Sequence, residues 1–236
     1  MTALKNIDAV ILCGGQGQRL RTVIGSTQKT MARVQGRPFL DILLDDLSVQ
    51  GLRRIVLCTG YRADQVEAYY REKKSALEIH FSREENPLGT GGAVKKARPF
   101  VRSHPFFVLN GDSFCPMDYK KFLAFHQKNK ADGTIAVTRI SDPQDLGSIV
   151  LDDQQRMVGF QEKVARPKSN VLSYVNAGVY CFNNDIFSLM PSVKRFSLEK
   201  SFFPQQKNFF GFEVKKEFVD IGTPERYGKA KNGLGV

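Results

Sequence analysis

Apolar runs alternate with amphipathic segments through the first 130 residues, and this alternation constrains the fold more than any other feature of the sequence. The apolar runs have the length of strands, and they lie at 9–13, 54–59, 78–82 and 105–110. The segments with helical spacing of their apolar residues lie at 38–50, 64–74, 92–101 and 119–130. Strands that alternate with helices predict a mostly parallel sheet that is covered by helices on both faces.

The pattern changes in the second part of the chain. Short strand-like runs follow one another at 134–140, 148–151, 157–162 and 174–181, and short helices are predicted at 185–190 and 223–231. Such a succession of strands predicts an antiparallel addition to the parallel sheet. Because no proline- or serine-rich linker and no repeat divides the chain, we expect one continuous α/β domain, 1–236, whose second half completes the site begun by the first.

The charge and the cysteines narrow the class of protein. The net charge of +11 attracts polyanions, but the basic residues are spread along the chain. Small anionic substrates, such as nucleoside triphosphates and sugar phosphates, suit this charge as well as nucleic acid does. A nucleic-acid binder is thus an alternative that rests on charge alone, and we expect no nucleic-acid partner. Four scattered cysteines predict buried free thiols in a reducing compartment, and hence a cytoplasmic protein. No signal segment is recognisable and the longest apolar run is too short to cross a bilayer, so we expect no membrane partner.

The first apolar run ends in a glycine-rich loop with Gly14, Gly15 and Gly17, and Arg19 follows two residues later. Glycines allow backbone N–H groups to turn toward an anion, and an arginine can then bind phosphate oxygens. The loop is neither G-x-x-x-x-G-K-[ST] nor G-x-G-x-x-G, since position 20 is leucine, which argues against a Walker-type ATPase and a dinucleotide-binding half. The alternative interpretation is a tight glycine turn that binds no ligand.

Two aspartates follow short apolar runs at positions that we expect to be strand ends. Asp112 ends the segment N-G-D, and Asp220 precedes the Gly-Thr-Pro start of a helix. Ligands of open parallel sheets lie beyond the carboxyl ends of the strands, and carboxylates there suit Mg²⁺, which keeps phosphate and water as its other ligands. The alternatives stay open, because N-G-D is also common in turns and the helix start needs only the cap that Thr223 supplies.

A second glycine-rich loop, 87–93, leads into a predicted helix, and its backbone could pack flat against a base or a ribose. Glu84, just before it, could accept hydrogen bonds from guanine N1–H and N2–H₂, or one from uracil N3–H, so this residue leaves the base open. Lys29 and Lys163 are candidate mobile charges for phosphate, although most single lysines are solvated surface residues.

These motifs are more specific in combination. The segments G-G-Q-G-Q-R-L, Lys29, P-L-G-T-G-G, N-G-D, E-K at 162–163, N-A-G at 176–178 and D-I-G-T-P appear in this order. With this order of motifs, the chain resembles the sugar-1-phosphate nucleotidyltransferases over about residues 7–227. It looks closest to the branch that includes the bacterial D-glycero-D-manno-heptose 1-phosphate guanylyltransferases. The resemblance implies a three-layer α/β/α Rossmann-like domain with a mixed, mostly parallel sheet. Residues 1–130 would mainly bind the nucleotide, and residues 131–236 the sugar phosphate.

The resemblance also implies roles for individual residues. The nucleotide would be bound by Leu12, Gly14, Gly15, Gly17, Gln18, Arg19, Glu84, Gly89, Thr90 and Gly111. The sugar phosphate would be bound by Gly147, Glu162, Lys163 and Asn176. The catalytic residues would be Arg19, Lys29, Asp112, Lys163 and Asp220. The cofactor would be Mg²⁺, held by Asp112 and Asp220.

The implied reaction joins a nucleoside triphosphate, with GTP favoured, to a sugar 1-phosphate, with D-glycero-D-manno-heptose 1-phosphate favoured. Pyrophosphate leaves, and the chemistry needs no protein nucleophile. The alternative within this class is mannose, glucose or N-acetylhexosamine 1-phosphate with UTP or another triphosphate. The alternative outside it is a catalytically silent regulatory subunit that binds nucleotide sugars. We expect a monomer or homodimer in bacterial surface-glycan synthesis, for lipopolysaccharide or capsule.

The chain departs from the family pattern at two places. Gln18 stands where a threonine usually precedes the arginine, and this change is expected to alter contacts with the triphosphate. Gln28-Lys29-Thr30 replaces the usual Pro-Lys-Pro, and the loss of the stiff prolines is expected to loosen Lys29. Every charged group that the chemistry needs is retained.

Overall fold

The structure is a computed structural model that describes residues 3–140, 147–161, 173–216 and 218–233. Its strands are β1 (Asp8–Leu12), β2 (Arg33–Val34), β3 (Arg37–Pro38), β4 (Arg54–Thr59), β5 (Glu78–Arg83), β6 (Phe106–Asn110), β7 (Ser113–Phe114), β8 (Gly133–Ile140), β9 (Ser148–Leu151), β10 (Met157–Gln161), β11 (Ser173–Phe182), β12 (Phe209–Glu213) and β13 (Val219–Asp220). Its α-helices are α1 (Arg21–Ile24), α2 (Phe39–Val49), α3 (Ala63–Glu72), α4 (Gly89–Ala97), α5 (Tyr119–Lys128), α6 (Ile186–Leu189) and α7 (Pro224–Asn232). A 3₁₀ turn at Lys29–Met31 and a π-helix at Leu198–Phe202 also contribute to the site.

Nine of the described strands form one mixed sheet. One half is parallel, in the order β6-β1-β4-β5, and β11 joins it antiparallel to β6. The strand β11 also pairs with β8 and β9, and β12 lies parallel to β8. Within the described part of this sheet only β10 and β11 run against the other strands, so the predicted mixed, mostly parallel sheet is confirmed.

Side chains of the central strands alternate between two apolar cores. Ala9 and Ile11 of β1 pack in one core with apolar residues of α2, α3, α5 and α7. Val10 packs in the other core with residues of α4 and α6. Successive strand residues point to opposite faces, so a central strand with both faces covered is apolar throughout. The predicted three-layer α/β/α arrangement is therefore confirmed.

Most predicted elements end within two residues of their observed bounds, and the exceptions have local causes. Helix α4 begins at Gly89, earlier than the predicted residue 92, because its glycines pack against the segment around Phe196. Strand β12 was not predicted, since Gly211 interrupts its apolar run and glycine weakens strand preference. A Cβ atom on Gly211 would be 2.5 Å from the side chain of Leu151, so this glycine allows β12 to pass close to β9.

The four cysteines are buried and free, as predicted. Burial raises the pKa of the Cys115 thiol to about 12, so this thiol stays protonated and unreactive. Within the described ranges, no helix has both the length and the apolar character needed to cross a membrane.

Candidate active site

Two adjoining cavities lie at the carboxyl ends of the parallel strands. The first has a volume of about 420 Å³, and its walls include Leu12, Gly14, Gly15, Glu84, Gly89 and Thr90. The second has a volume of about 440 Å³, and its walls include Arg19, Lys29, Gly147, Asn176 and Asp220. Asn110 and Asp112, at the end of β6, line both. The fold thus brings six residues predicted for the nucleotide into the first cavity. It brings the four described residues that were predicted to be catalytic, Arg19, Lys29, Asp112 and Asp220, into the second.

Glu84 follows the end of β5 and lies between the backbones of two glycines. A Cβ atom on Gly14 would be 2.6 Å from Oε1 of Glu84, and one on Gly60 would be 2.7 Å from it. Only glycine therefore allows the carboxylate to lie so close to the loop. The backbone N–H of Leu88 donates to Oε2 of Glu84 at 3.1 Å. Burial raises the pKa of Glu84, and the Leu88 hydrogen bond and the charge of Lys96 offset part of that rise.

The other two glycines of the first loop serve different purposes. No described atom lies within 4 Å of the place where a Cβ of Gly15 would be, so its backbone borders open space in the first cavity. Gly17 has a φ of +56°, in the left-handed region, and a Cβ there would be 3.1 Å from Cβ of Lys29. Gly17 therefore allows the loop to turn directly over Lys29.

Gln28 and Thr30 hold Lys29 in place. The side chain of Gln28 is fully buried, and its amide donates to the carbonyl oxygen of Cys13. Oε1 of Gln28 accepts from the backbone N–H and the hydroxyl of Thr30, each at 2.6 Å, and the N–H of Gln28 donates to Gln65 at 2.8 Å. Prolines at 28 and 30 would lack the two backbone N–H groups used here. These buried hydrogen bonds restrain the segment in place of the prolines, and they argue against the expected loosening of Lys29.

Lys29 forms an ion pair with Asp112. Nζ of Lys29 and Oδ2 of Asp112 are 2.5 Å apart, and the hydroxyl of Ser113 donates to Oδ1 of Asp112 at 3.3 Å. Burial works to raise the pKa of Asp112, but the ammonium of Lys29 outweighs it and holds this pKa below its usual range. Asp112 is therefore an anion at neutral pH, at the boundary of the two cavities.

Asp220 lies beside Asp112, although the two are far apart in the sequence. Strand β13 pairs with β7, which sets Asp220 opposite Ser113, and the N–H of Ile221 donates to the carbonyl oxygen of Asp112 at 3.0 Å. Oδ2 of Asp220 is 3.0 Å from the guanidinium of Arg226. Both carboxylates line the second cavity. The structure thus brings together the two aspartates that the sequence predicted as neighbours.

These two aspartates fit a cation that takes most of its ligands from substrate and water. Within the part of the chain that the structure describes, no three side chains of His, Cys, Asp or Glu form a cluster that could hold a metal ion by themselves. Mg²⁺ does not require one, since one or two carboxylates together with substrate phosphates commonly bind it. Asp112 and Asp220 supply that number, and each already has a cationic partner.

A distant segment of the chain explains the glycines of the second loop. A Cβ on Gly91 would overlap the ring of Phe196, and one on Gly92 would overlap the carbonyl oxygen of Lys194. The N–H groups of Gly91 and Gly92 donate to the carbonyl oxygen of Phe196 at 3.1 and 3.3 Å. The predicted flat backbone face for a base or ribose is thus occupied by protein at these two glycines, while Gly89 borders the first cavity.

A β-bulge in β11 shapes the second cavity. The register of β11 against β8 shifts between Asn176 and Tyr180, and Gly178 between them has a φ of +75°. The N–H of Asn176 donates to the carbonyl oxygen of Gly147 at 3.0 Å, which joins two residues predicted for the sugar phosphate. The side-chain amide of Asn176 donates to the phenol oxygen of Tyr180 at 2.8 Å. Bulges next to sites commonly redirect a side chain in this way.

Three further polar residues line the cavities although no sequence motif predicted a role for them, namely Asn110, Arg195 and Glu199. Oδ1 of Asn110 is buried where the cavities meet, and it has no hydrogen-bond partner among the described residues. Arg195 borders the first cavity and Glu199 the second. The segment that carries Arg195 and Glu199 has no glycine motif, and its one local signal is Ser197, whose hydroxyl caps the π-helix.

Some predicted residues lie beside the two cavities and do not form their walls, namely Gly17, Gln18 and Gly111. The side chain of Gln18 is exposed. Gly111 packs below the loop, where its N–H donates to the carbonyl oxygen of Leu12 at 3.0 Å and a Cβ would be 2.8 Å from the same oxygen. Glu162 and Lys163 lie outside the described residues.

Comparison with known proteins identifies close relatives of the whole chain. The family model described as Nucleotidyl transferase matches residues 8–235. D-glycero-alpha-D-manno-heptose 1-phosphate guanylyltransferase of Aneurinibacillus thermoaerophilus is 35% identical over 231 residues, which are 97% of this chain and 98% of that protein. Mannose-1-phosphate guanylyltransferase of Mycobacterium tuberculosis is 33% identical, over 95% of this chain and 64% of that protein.

A solved structure shows the same fold. HddC from Yersinia pseudotuberculosis, in a crystal structure complexed with GMP-PN, superimposes with a TM-score of 0.84 and 35% sequence identity. The match covers 96% of this chain and 98% of that chain, which confirms the expected Rossmann-like nucleotidyltransferase fold. Since the family model and these relatives extend over nearly every residue of the sequence, the chain belongs to the nucleotidyl transferase family.

Proposed function

We propose that the protein joins a nucleoside triphosphate to a sugar 1-phosphate and forms a nucleoside diphosphate sugar and pyrophosphate. GTP is the favoured triphosphate, and D-glycero-α-D-manno-heptose 1-phosphate is the favoured sugar phosphate. One observation carries the proposal: Asp112 lies between two cavities, of which one is bordered by a glycine loop and the other by arginine and lysine side chains. Two substrates that react at one phosphorus atom need such adjoining sites.

Glu84 supports guanine as the base. An ionised carboxylate can accept from both N1–H and N2–H₂ of guanine, whereas uracil offers one N–H at the corresponding edge. Glu84 borders the first cavity and has one backbone donor on Oε2, so Oε1 has capacity for a ligand. The two relatives named above are guanylyltransferases, and HddC was crystallised with GMP-PN, which favours the same base.

The reaction needs positioning and charge neutralisation more than covalent help from the protein. An oxygen of the sugar's phosphate attacks the α-phosphorus in line, the bond to the bridging oxygen of the β-phosphate breaks, and pyrophosphate leaves. We assign the backbone of Gly14 and Gly15 to the phosphates, and Arg19, Lys29 and Lys163 to the negative charge that develops. The loss of one such charge is expected to lower the rate by about a hundredfold or more.

Asp112 and Asp220 would hold Mg²⁺, which would supply positive charge to the reacting phosphates. The ammonium of Lys29 and the guanidinium of Arg226 each lie within 3.0 Å of one carboxylate. At Asp112 the nearby ammonium of Lys29 lowers the pKa of the carboxyl and so favours its ionised form, which is the form that binds a cation.

The sugar phosphate is assigned to the second cavity, with Gly147, Glu162, Lys163 and Asn176 as its ligands. Residues 1–130 then mainly serve the nucleotide and residues 131–236 mainly serve the sugar phosphate. A role in bacterial surface-glycan synthesis (lipopolysaccharide or capsule) in the cytoplasm, as a monomer or homodimer, completes the proposal. Buried free cysteines agree with a reducing compartment.

The test combines each of the four common nucleoside triphosphates with heptose, mannose, glucose and N-acetylglucosamine 1-phosphate. Turnover of each pair is measured as the release of pyrophosphate. The expected result is fastest turnover with GTP and the heptose 1-phosphate. Asp112→Asn should abolish turnover and leave the fold intact, while Asp153→Asn, in an exposed turn, should behave as wild type. Release of no pyrophosphate from any pair would contradict the proposal.

Two other outcomes of the same panel would support a different function. Faster turnover of mannose 1-phosphate would support the alternative to which the Mycobacterium tuberculosis relative points. Binding of a nucleotide sugar without turnover of any pair would support a regulatory subunit.

A further inference from the structure

We propose that Glu199 is a specificity-determining residue whose carboxylate binds a hydroxyl group of the sugar. The inference rests on the proposed function, because that function assigns the sugar phosphate to the second cavity. Glu199 lies on the π-helix Leu198–Phe202 and borders this cavity together with Gly147 and Asn176. Single-turn π-helices are frequent at functional sites.

One oxygen of Glu199 is held firmly by two hydroxyl groups. Oε2 accepts from the hydroxyl of Thr90 at 2.6 Å and from the hydroxyl of Ser197 at 2.7 Å. The oxygen of Thr90 also accepts from the N–H of Leu198 at 2.9 Å, and the oxygen of Ser197 accepts from the N–H groups of Glu199 and Lys200 at 3.2 and 3.1 Å. Backbone donors thus orient both hydroxyl groups so that their single hydrogens point to Glu199.

The other oxygen of Glu199 has unused capacity. The hydroxyl of Tyr180 donates to Oε1 at 3.4 Å, which is long for a hydrogen bond between oxygens. A carboxylate oxygen has two acceptor positions, so Oε1 can accept a short hydrogen bond from a ligand. The carboxylate is therefore fixed by Oε2 and open at Oε1.

The partners of Glu199 differ from those of the two aspartates in the same cavity. Asp112 and Asp220 are each paired with a cation, whereas the ranges that the structure describes contain no cationic partner of Glu199. Its three side-chain partners are hydroxyl groups. A carboxylate that accepts from hydroxyl groups can accept a further hydrogen bond from a hydroxyl of a sugar, whereas its negative charge would repel a phosphate.

The contact with Thr90 also connects the two cavities. Thr90 lies in the first turn of α4 beside the first cavity, and its hydroxyl donates its hydrogen to Glu199 in the second. The loop assigned to the nucleotide therefore fixes the carboxylate assigned to the sugar. The hydrogen bond to Glu199 gives the hydroxyl of Thr90 a structural role, and its hydrogen is therefore not free for the nucleotide.

The first part of the test measures KM for each substrate. Glu199→Gln keeps the shape of the side chain and removes its charge. We expect KM for D-glycero-α-D-manno-heptose 1-phosphate to rise by about tenfold to a hundredfold, as for the loss of a hydrogen bond to a charged group. The Kd of a non-hydrolysable GTP analogue should stay at the wild-type value. Glu225→Gln, whose glutamate forms an exposed ion pair with Lys229, is the matched control and should leave both constants unchanged.

The second part uses mannose 1-phosphate and its monodeoxy analogues with GTP. A site built to bind one hydroxyl rejects the analogue that lacks it, so the wild type should use one analogue at least about tenfold less well than the parent sugar. Glu199→Gln should lose the discrimination against that analogue alone. A merely structural role of Glu199 would lower turnover of all the sugars to a similar extent.

The outcomes separate this inference from the proposed function. If the wild type is active and Glu199→Gln keeps both the KM and the discrimination of the wild type, the inference is overturned and the function stands. If the wild type releases no pyrophosphate from any pair, the function fails and the inference fails with it. If Glu199→Gln does not fold, Thr90→Val decides, because it removes one of the two donors to Oε2; unchanged discrimination in that variant would overturn the inference.

Discussion

At the scale of single residues, the neighbouring glycines Gly14 and Gly15 differ in what a side chain at each position would meet. A side chain on Gly14 would meet the carboxylate of Glu84, whereas one on Gly15 would meet nothing but the open first cavity. The sequence motif does not distinguish the two, although Gly14 makes room for a side chain of the protein and Gly15 faces an open cavity. The difference is a matter of which group lies opposite, and this is set by tertiary structure.

Alanine substitutions should separate the two roles. Gly14→Ala is expected to lower the free energy of unfolding by about 1–3 kcal/mol, because the added Cβ must displace Glu84. Gly15→Ala should leave the free energy of unfolding near the wild-type value and weaken binding of a GTP analogue, since its methyl group enters the cavity. Urea unfolding and calorimetry measure the two effects. Equal losses of stability in both variants would contradict this assignment.

The raised pKa of Glu84 predicts a pH dependence of nucleotide binding. Only the ionised carboxylate accepts from both guanine donors, and burial shifts the pKa above that of an ordinary glutamate. The affinity for a GTP analogue is therefore expected to be constant above this raised pKa and to fall as the pH decreases through it. Titration calorimetry over a pH series measures the profile, with corrections for the ionisation of phosphate.

Glu84→Gln provides the comparison for that pH series. The variant should bind the GTP analogue about tenfold to a hundredfold more weakly than the wild type, since a hydrogen bond to a charged group is lost. It should also lose the part of the pH dependence that comes from this residue. An identical profile in wild type and variant would show that Glu84 does not contact the base.

At the scale of elements, α4 and the segment around Phe196 form one unit. Gly91 and Gly92 give the segment room, their N–H groups donate to Phe196, and the N–H of Phe196 donates to Leu88 at 3.0 Å. The glycine-rich start of α4 is costly for an isolated helix. Here the close contact between the backbone of α4 and that of Phe196 compensates for this cost. The same contact positions Glu199, which lies three residues after Phe196.

A substitution in α4 tests this packing. Gly91→Ala is expected to lower the free energy of unfolding by about 1–3 kcal/mol, because the methyl group would overlap the ring of Phe196. In a Phe196→Ala background the same substitution should cost much less, and the difference is the coupling between the two residues. Both values come from denaturant unfolding; independent, additive losses would rule out the contact.

Gly228 of α7 is the matched control for this experiment. It also lies in a helix, but no described atom lies within 4 Å of where its Cβ would be. Gly228→Ala is therefore expected to raise the free energy of unfolding by about 0.5–1 kcal/mol, as alanine favours a helix more than glycine.

At the scale of the whole molecule, the site exists because two distant parts of the chain meet at one edge of the sheet. Strand β6 brings Asp112 to this edge, and the pairing of β13 with β7 brings Asp220 beside it. Neither part forms the second cavity alone, since Gly147 and Asn176 complete it from the antiparallel addition. Ligand binding at this junction should therefore stabilise the fold as a unit.

Ligand-linked stability checks the shared role of the two aspartates. At about 100 times its Kd, a non-hydrolysable GTP analogue with Mg²⁺ should stabilise the wild type by about 2.7 kcal/mol. Asp112→Asn and Asp220→Asn should each reduce this gain, as should removal of the cation with EDTA, while Asp153→Asn should not. Thermal unfolding with and without ligand measures the gain. An effect of Asp112→Asn without one of Asp220→Asn would show that the carboxylates do not share a cation.

Much of the architecture was predictable from local patterns. The apolar run 9–13, the helical spacing in 38–50 and the succession of short strands after 134 predicted the layers and the mixed sheet, because each pattern depends on neighbours along the chain. The glycine loop and the two aspartates were identifiable for a related reason. Turn conformation and strand ends depend on a few adjacent residues, and parallel strands place their carboxyl ends at one edge.

The tertiary structure alone decided which groups lie opposite one another. Three sets of contacts join segments that no local pattern connects. They are the buried hydrogen bonds of Gln28 beside Lys29, the contact of Phe196 with α4, and the hydrogen bond from Thr90 to Glu199. Such contacts depend on distance and direction across the folded chain, and many sequences with the same periodicity would place other partners there. The sequence by itself therefore determined the sheet, its layers and the edge that carries the site, while packing between distant segments determined which side chains hold that site in place.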